Sequence, residues 1–170
     1  VGQTVPFLYQ AYKAAGLDPA RMPIGSLNTS ETEIAIMGAE AAKGHFTSAP
    51  YFQSINTKAN QSALKQFRKQ FGPEMSTDMN WEATYSQVHL FAKAMAECGS
   101  DHIYPLSTAL RGSQFDAPQG RIRIDQLNQH TGLYPRIGMA NENGQFTIVQ
   151  ESRRIVDPDP YMTNQTVQWF

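Results

Sequence analysis

The sequence predicts a mixed α/β fold, and three observations carry that expectation. As far as Arg111, apolar residues recur mostly at spacings of three and four, the period of a helix with one buried face. Beyond Ser113 the period changes to two. Ile122 and Ile124 alternate with Arg121, Arg123 and Asp125, and Ile137 and Met139 alternate with polar neighbours, as in half-buried strands. Between two such runs stands Asn143-Gly144, a hairpin signal, because both residues tolerate the positive φ of a type I′ turn. An antiparallel hairpin of Arg136–Ala140 with Gln145–Gln150 is expected.

The elements follow in order. Thr4 to Ala15 predicts a helix, with Pro6 in its first turn, an apolar stripe of Phe7, Leu8, Ala11 and Ala15, and Gly16 at its end. Met22-Pro23-Ile24 leads to a short strand and the loop Ser26-Leu27-Asn28-Thr29. Ser30 and Glu33 form a capping box for a second helix, which Gly44 stops. His45 to Ala49 predicts a strand, and Pro50-Tyr51-Phe52 an extended exit. Asn60 to Phe71 is amphipathic, with Leu64, Phe67 and Phe71 on one face, and Gly72-Pro73 ends it. Asp78 caps the longest helix, to about Glu97, with Trp81, Tyr85, Val88, Ala92 and Met95 as its core stripe. Asp101 to Arg111 predicts another helix, beginning near Ile103 or Tyr104 because of Pro105. Asp157-Pro158-Asp159-Pro160 stops regular structure.

Composition bounds the function. At 170 residues, 41% apolar and 17% charged, the chain can bury a core and reads as an ordinary globular protein. A net charge of −1 gives no electrostatic case for nucleic acid or an anionic membrane. No apolar run approaches the ~20 residues of a membrane span. The single cysteine, Cys98, excludes an internal disulfide and a cysteine-based zinc site, and it reads as a buried thiol. The sequons at Asn28, Asn60 and Asn164 carry no weight in a chain this rich in Asn, Ser and Thr.

No catalytic constellation stands out. G-x-S-x-G, H-E-x-x-H, P-loop and G-x-G-x-x-G patterns are missing from the sequence. His45, His89, His102 and His130 fall in different elements without metal-ligand spacing. Asp157 and Asp159 read as loop residues rather than a carboxylate pair. No cofactor or metal is implied, and the reading is binding rather than catalysis.

The phrases F-D-A-P-Q-G, N-Q-H-T, N-G-Q-F-T-I-V and D-P-D-P-Y, with S-L-N-T-S-E-T-E, A-P-Y-F-Q-S-I-N-T and W-E-A-T-Y upstream, carry more. In this order and spacing they resemble type I periplasmic-binding-protein-like receptors. The branch is that of the amide sensors regulating aliphatic amidase and of urea- and amide-binding proteins. The resemblance covers nearly the whole chain and implies the C-terminal half of a two-lobed receptor with Rossmann-like open sheets. The start at Val1, without Met or signal peptide, fits that expectation.

Residues 1–44 and 121–170 are then expected in one lobe and residues 45–120 in the other, with hinge crossings near 45–52 and 113–122. Such receptors hold a small ligand in a cleft lined by loops at the carboxyl ends of strands. The matching positions here are Gly2, Gln3, Asn28, Thr29 and Tyr51. The amide sensors tend to carry Thr where this chain has Asn28, whose side chain offers one acceptor and one amide donor group. Turn formation is the other reading of Asn28, and hinge packing that of Tyr51. The implied ligand is a short aliphatic amide or urea, and the implied partner an antiterminator in the cytoplasm. The alternative is the solute-binding component of an ABC transporter for urea, amides or branched-chain amino acids, which is periplasmic and meets a permease. A hydrolase is the third reading. Homo-oligomerisation is expected from sheet edges left open in a half-receptor.

Overall fold

Short polar side chains start three of the helices of this chain, and glycines end several of them. The computed structural model describes residue 2 and residues 4–160, so Gln3, Tyr161 and Trp169 lie outside the described residues. Helix α1 spans Thr4–Ala14. Helix α2, Glu31–Met37, begins as its capping box predicts, with the Glu33 carboxylate accepting the Ser30 backbone N–H at 2.9 Å. Gly38, at φ 88°, breaks the expected single helix, and α3 follows over Ala39–Ala42. Helix α4, Lys58–Phe71, is capped by Thr57, which accepts from Asn60 N–H at 3.0 Å. Asp78 caps α5, Met79–Cys98, by accepting from Trp81 N–H at 2.8 Å. Helix α6, Ile103–Leu110, carries Pro105 in its first turn, where no N–H is needed.

Among the described residues seven strands form two sheets. They are β1 (Gly25–Ser26), β2 (Phe46–Ala49), β3 (Gln114–Ala117), β4 (Gly120–Ile124), β5 (Thr131–Gly132), β6 (Arg136–Ala140) and β7 (Phe146–Glu151). The first sheet has the order β1-β2-β6-β7, with β1 parallel to β2 and the other pairs antiparallel. The second has the order β3-β4-β5 and is antiparallel throughout.

The β6–β7 hairpin forms where the sequence places it, with Ala140 opposite Phe146 and Arg136 opposite Glu151. Its turn is longer than a type I′ pair. Only Gly144 takes a positive φ, 72°, and the Asn141 side-chain carbonyl accepts the N–H groups of Asn143 and Gln145 at 3.0 and 3.2 Å. On β4, Ile122 and Ile124 point inward and Arg121 and Arg123 outward, as expected. On β6 the faces are reversed: Arg136, Gly138 and Ala140 are buried, and Ile137 is 40% exposed. The Phe52 ring causes this. It lies so close that a Cβ on Gly138 would stand 2.7 Å from its Cζ, so that face must present glycine to the aromatic.

Two cores match the two sheets. Tyr9, Ile34, Met37, Ala42, Phe52 and Phe146 pack with the first, and Leu90, Ala117, Ile122 and Ile124 with the second. Two helices bury a different face from the one their apolar spacing suggests. In α1, Pro6 and Tyr9 are buried while Phe7 and Leu8 are exposed. In α5 the buried face is Glu82, Ser86, Leu90 and Ala94, one residue on from the Trp81–Tyr85 stripe. Trp81 and Tyr85 instead sit half-buried in an aromatic row with Phe67 and Phe115, which the exposed His89 ring extends.

Sheet pairing groups the elements into two units. Strand β2 pairs with β1 and β6, so the chain leaves the first unit after Ala49. Strand β4 pairs with β3 and β5 with β4, so the second sheet runs to Gly132, and the chain re-enters the first sheet at Arg136. The first unit thus holds α1 to α3, β1, β2, β6 and β7, and the second holds α4 to α6 with β3 to β5. Backbone hydrogen bonds decide this, because β4 completes its pairing with β3 before the chain turns back.

Candidate functional site

The loop between β1 and α2 is held by side chains rather than by a ladder. Ser26 Oγ accepts the N–H groups of Asn28 and Thr29, both at 3.0 Å, and the Thr29 hydroxyl at 2.8 Å. The Tyr9 hydroxyl meets Thr29 Oγ1 at 2.9 Å and ties the loop to α1. Tyr9 is buried edge-on to the His45 ring, 5.0 Å away, and its burial raises the phenol pKa, so it stays neutral. His45 accepts the Ile24 N–H on Nδ1 at 2.9 Å, and burial lowers its pKa. The loop therefore stands on a buried neutral network of Tyr9, Ser26, Thr29 and His45.

The five expected contact residues divide on this geometry. Asn28 is exposed, and its carboxamide has no hydrogen-bond partner among the described residues. Thr29 is 2% exposed with its hydroxyl engaged twice, so it supports the loop. Gly2 is exposed at φ 72° and opens α1 by accepting the Val5 N–H at 3.2 Å. Gln3 lies outside the described residues. Tyr51 is 1% exposed, donates to Asn60 Oδ1 at 2.9 Å and meets Thr77 Oγ1 at 2.8 Å. Its pKa is far above the ordinary range, chiefly from burial. Tyr51 thus packs the junction between the units. The loop brings Asn28 and Thr29 together, and no hydrogen bond among the described residues joins either to Tyr51.

The junction itself is polar and largely buried. Glu31 Oε1 accepts the Gln53 N–H at 2.7 Å, Gln53 Oε1 accepts the Thr77 N–H at 2.8 Å, and the Thr32 hydroxyl donates to Asp78 at 2.9 Å. Burial pushes the Glu31 carboxyl up to about 7. An open groove of about 680 Å³ runs beside it, lined by Glu31, Gln53, Arg68 and Gln145 and by none of the five expected residues. Among the described residues no His, Cys, Asp and Glu group has metal-holding geometry, and no helix is long and apolar enough to cross a membrane. Sequence reasoning missed Tyr9, Ser26 and Arg136. The serine two residues before Asn28 is a turn signal that a closer reading could have used.

The family described as periplasmic binding protein domain matches residues 1–167. This chain belongs to that family. Its fold agrees with a solute-binding protein of an ABC transporter from Rhodopseudomonas palustris solved with 4-hydroxybenzoate. The TM-score is 0.80 at 19% identity, over 96% of this chain and 45% of that one. An amino acid ABC transporter substrate-binding protein from Pseudomonas fluorescens gives 0.77 at 16% identity, over 92% of this chain and 43% of that one. A curated relative called limonene hydroxylase, from Geobacillus stearothermophilus, is 30% identical over 131 residues, 77% of this chain and 24% of that protein. The periplasmic-binding-protein-like chain thus spans under half of the solved neighbours and about a quarter of the curated relative.

Proposed function

We propose that this chain forms one wall of the ligand cleft of a small-molecule receptor, and that the ligand is a short aliphatic amide or urea. The observation that carries this reading is Asn28: an exposed carboxamide with no hydrogen-bond partner among the described residues, on a loop fixed from below by Ser26, Thr29 and Tyr9. Such a group meets an amide's carbonyl with its own N–H and an amide's N–H with its own carbonyl, at little ordering cost. The loop from Ser26 to Ser30 contains no Lys or Arg, so it offers no countercharge to a carboxylate ligand. The phrases shared with the amide sensors support the same ligand, and with it an antiterminator partner in the cytoplasm. Binding without turnover belongs to this reading.

A second reading is favoured by the solved neighbours, which include ABC transporter solute-binding proteins in complex with benzoate or 4-hydroxybenzoate and a leucine binding protein. On it, the receptor is a periplasmic solute-binding component that docks on a permease.

Titration of the full-length receptor with acetamide, urea and leucine, wild type against Asn28→Leu, tests the proposal. An unmade buried hydrogen bond costs ~1–3 kcal/mol, so Asn28→Leu is expected to weaken amide binding by roughly tenfold to a hundredfold. Unchanged affinity for every ligand that binds removes Asn28 from the site. Failure of all three ligands with the wild type removes the amide reading.

A further inference from the structure

The guanidinium of Arg136 lies where the two units meet. It is 6% exposed and makes four hydrogen bonds in four directions. Nη1 donates to the Pro50 carbonyl at 2.6 Å, on the outgoing crossing, and to the Tyr134 carbonyl at 3.1 Å, on the returning one. Nη2 donates to the Gln119 carbonyl at 2.9 Å, in the β3–β4 turn of the second unit. Nε donates to Glu151 at 3.1 Å, on β7 of the first unit. The Gln119 side chain continues inward, donating to Glu82 at 2.8 Å, and Glu82 accepts from Ser86 at 3.0 Å on α5. One side chain, rooted in β6, thus joins both crossings, the edge strand of the first unit and the long helix of the second.

Resting on the receptor reading above, we propose that Arg136 is the positioning residue of the hinge: its fork locks the two crossings into one pivot and sets the angle between the units. Only a planar group with five donors reaches carbonyls on three sides at once. A change of angle must move Pro50, Tyr134 and Gln119 relative to one another, so it breaks at least one of these bonds. Lysine keeps the charge and three N–H donors, but all on one nitrogen, so it cannot span the separate positions of Nη1 and Nη2.

The test measures the angle without any ligand. Spin labels on native Cys98 of α5, which is half-buried rather than the buried thiol the sequence suggests, and on a Lys13→Cys substitution in α1 report the distance between the units by pulsed electron resonance. The unchanged background gives one narrow distribution. Arg136→Met is expected to broaden it at least twofold and Arg136→Lys to give an intermediate width. Arg121→Met, which removes only an exposed ion pair with Asp116, leaves it narrow. Amide-exchange protection of the Tyr9 and Ile122 N–H groups stays as in wild type, which separates a lost pivot from a general loss of folding. If Arg136→Met does not fold, Arg136→Lys decides. A narrow, unshifted distribution in the folded Lys variant overturns the proposal, as does broadening that comes only with lost protection. Because no ligand is used, failure here leaves the amide titration untouched, and failure of that titration leaves the pivot standing.

Discussion

Glu31 is the residue whose chemistry is most altered by the fold. At 1% exposure, with Asp78 and Glu33 nearby, its carboxyl is pushed from 4.5 to about 7, first by desolvation. The folded chain therefore holds this proton over a range in which the unfolded chain has lost it. The stability from the proton is complete below about 4.5 and is lost as pH rises through about 7. His45 acts in the opposite sense: its lowered pKa costs stability as pH falls below its ordinary 6.5. Glu31→Gln keeps an oxygen for the Gln53 N–H and cannot ionise. Relative to wild type, its advantage is expected to grow from pH 5 to pH 8 and to reach at most about 3 kcal/mol. Denaturant melts at the two pH values measure it, and the difference between the two proteins cancels the His45 slope. An advantage that does not change with pH would show that the carboxyl ionises normally.

At the scale of elements, α5 shows what a sequence displays and what it hides. Its existence, its Asp78 cap and its length follow from residues within one turn of each other, and the structure has all three. Its buried face does not follow from apolar spacing. Glu82 and Ser86 go inward because Gln119, 37 residues away, supplies a hydrogen bond to the carboxylate. The same holds for β6, where Gly138 faces Phe52, and for the loop between β1 and α2. Asn28 was legible as a polar loop residue, whereas the engagement of Thr29 and Tyr51 depends on Tyr9, Asn60 and Thr77. The hairpin was legible because its signal is contained in the turn. Mutation sizes should follow the observed faces. Leu90→Ala is expected to cost ~2–5 kcal/mol, as for a packed core leucine. Trp81→Ala, from a half-buried row, should cost less than Leu90→Ala despite removing more atoms. Equilibrium unfolding of both variants checks the order, and the reverse order would restore the Trp81 stripe as core.

At the scale of the whole molecule, two small cores share one chain. Phe7, Leu8, Ile36, Phe71, Val88, Ile103 and Tyr104 are all more than half exposed. Where such side chains gather into a patch they mark sites of association. The edges of the first sheet, β1 and β7, add open backbone groups. The 170-residue chain is expected to self-associate, with a mass by light scattering that rises with concentration. A constant monomer mass up to high concentration, with a sharp cooperative melt, would count against it.

The pairing of β2 with β6 has a further consequence, for biosynthesis. Between these neighbours in the sheet lies the whole second unit, so Pro50 and the Arg136 that binds it are 86 residues apart. At translation rates of ~5–20 residues per second, β1 and β2 wait for several seconds before their central partner leaves the ribosome. During that interval the emerging chain can complete α4, α5, α6 and most of the second sheet from contacts close in sequence. The first unit must stay unfinished. The order of synthesis thus makes the inserted unit the earlier-folding part, and leaves the edge of β2 unpaired until residue 140 has emerged.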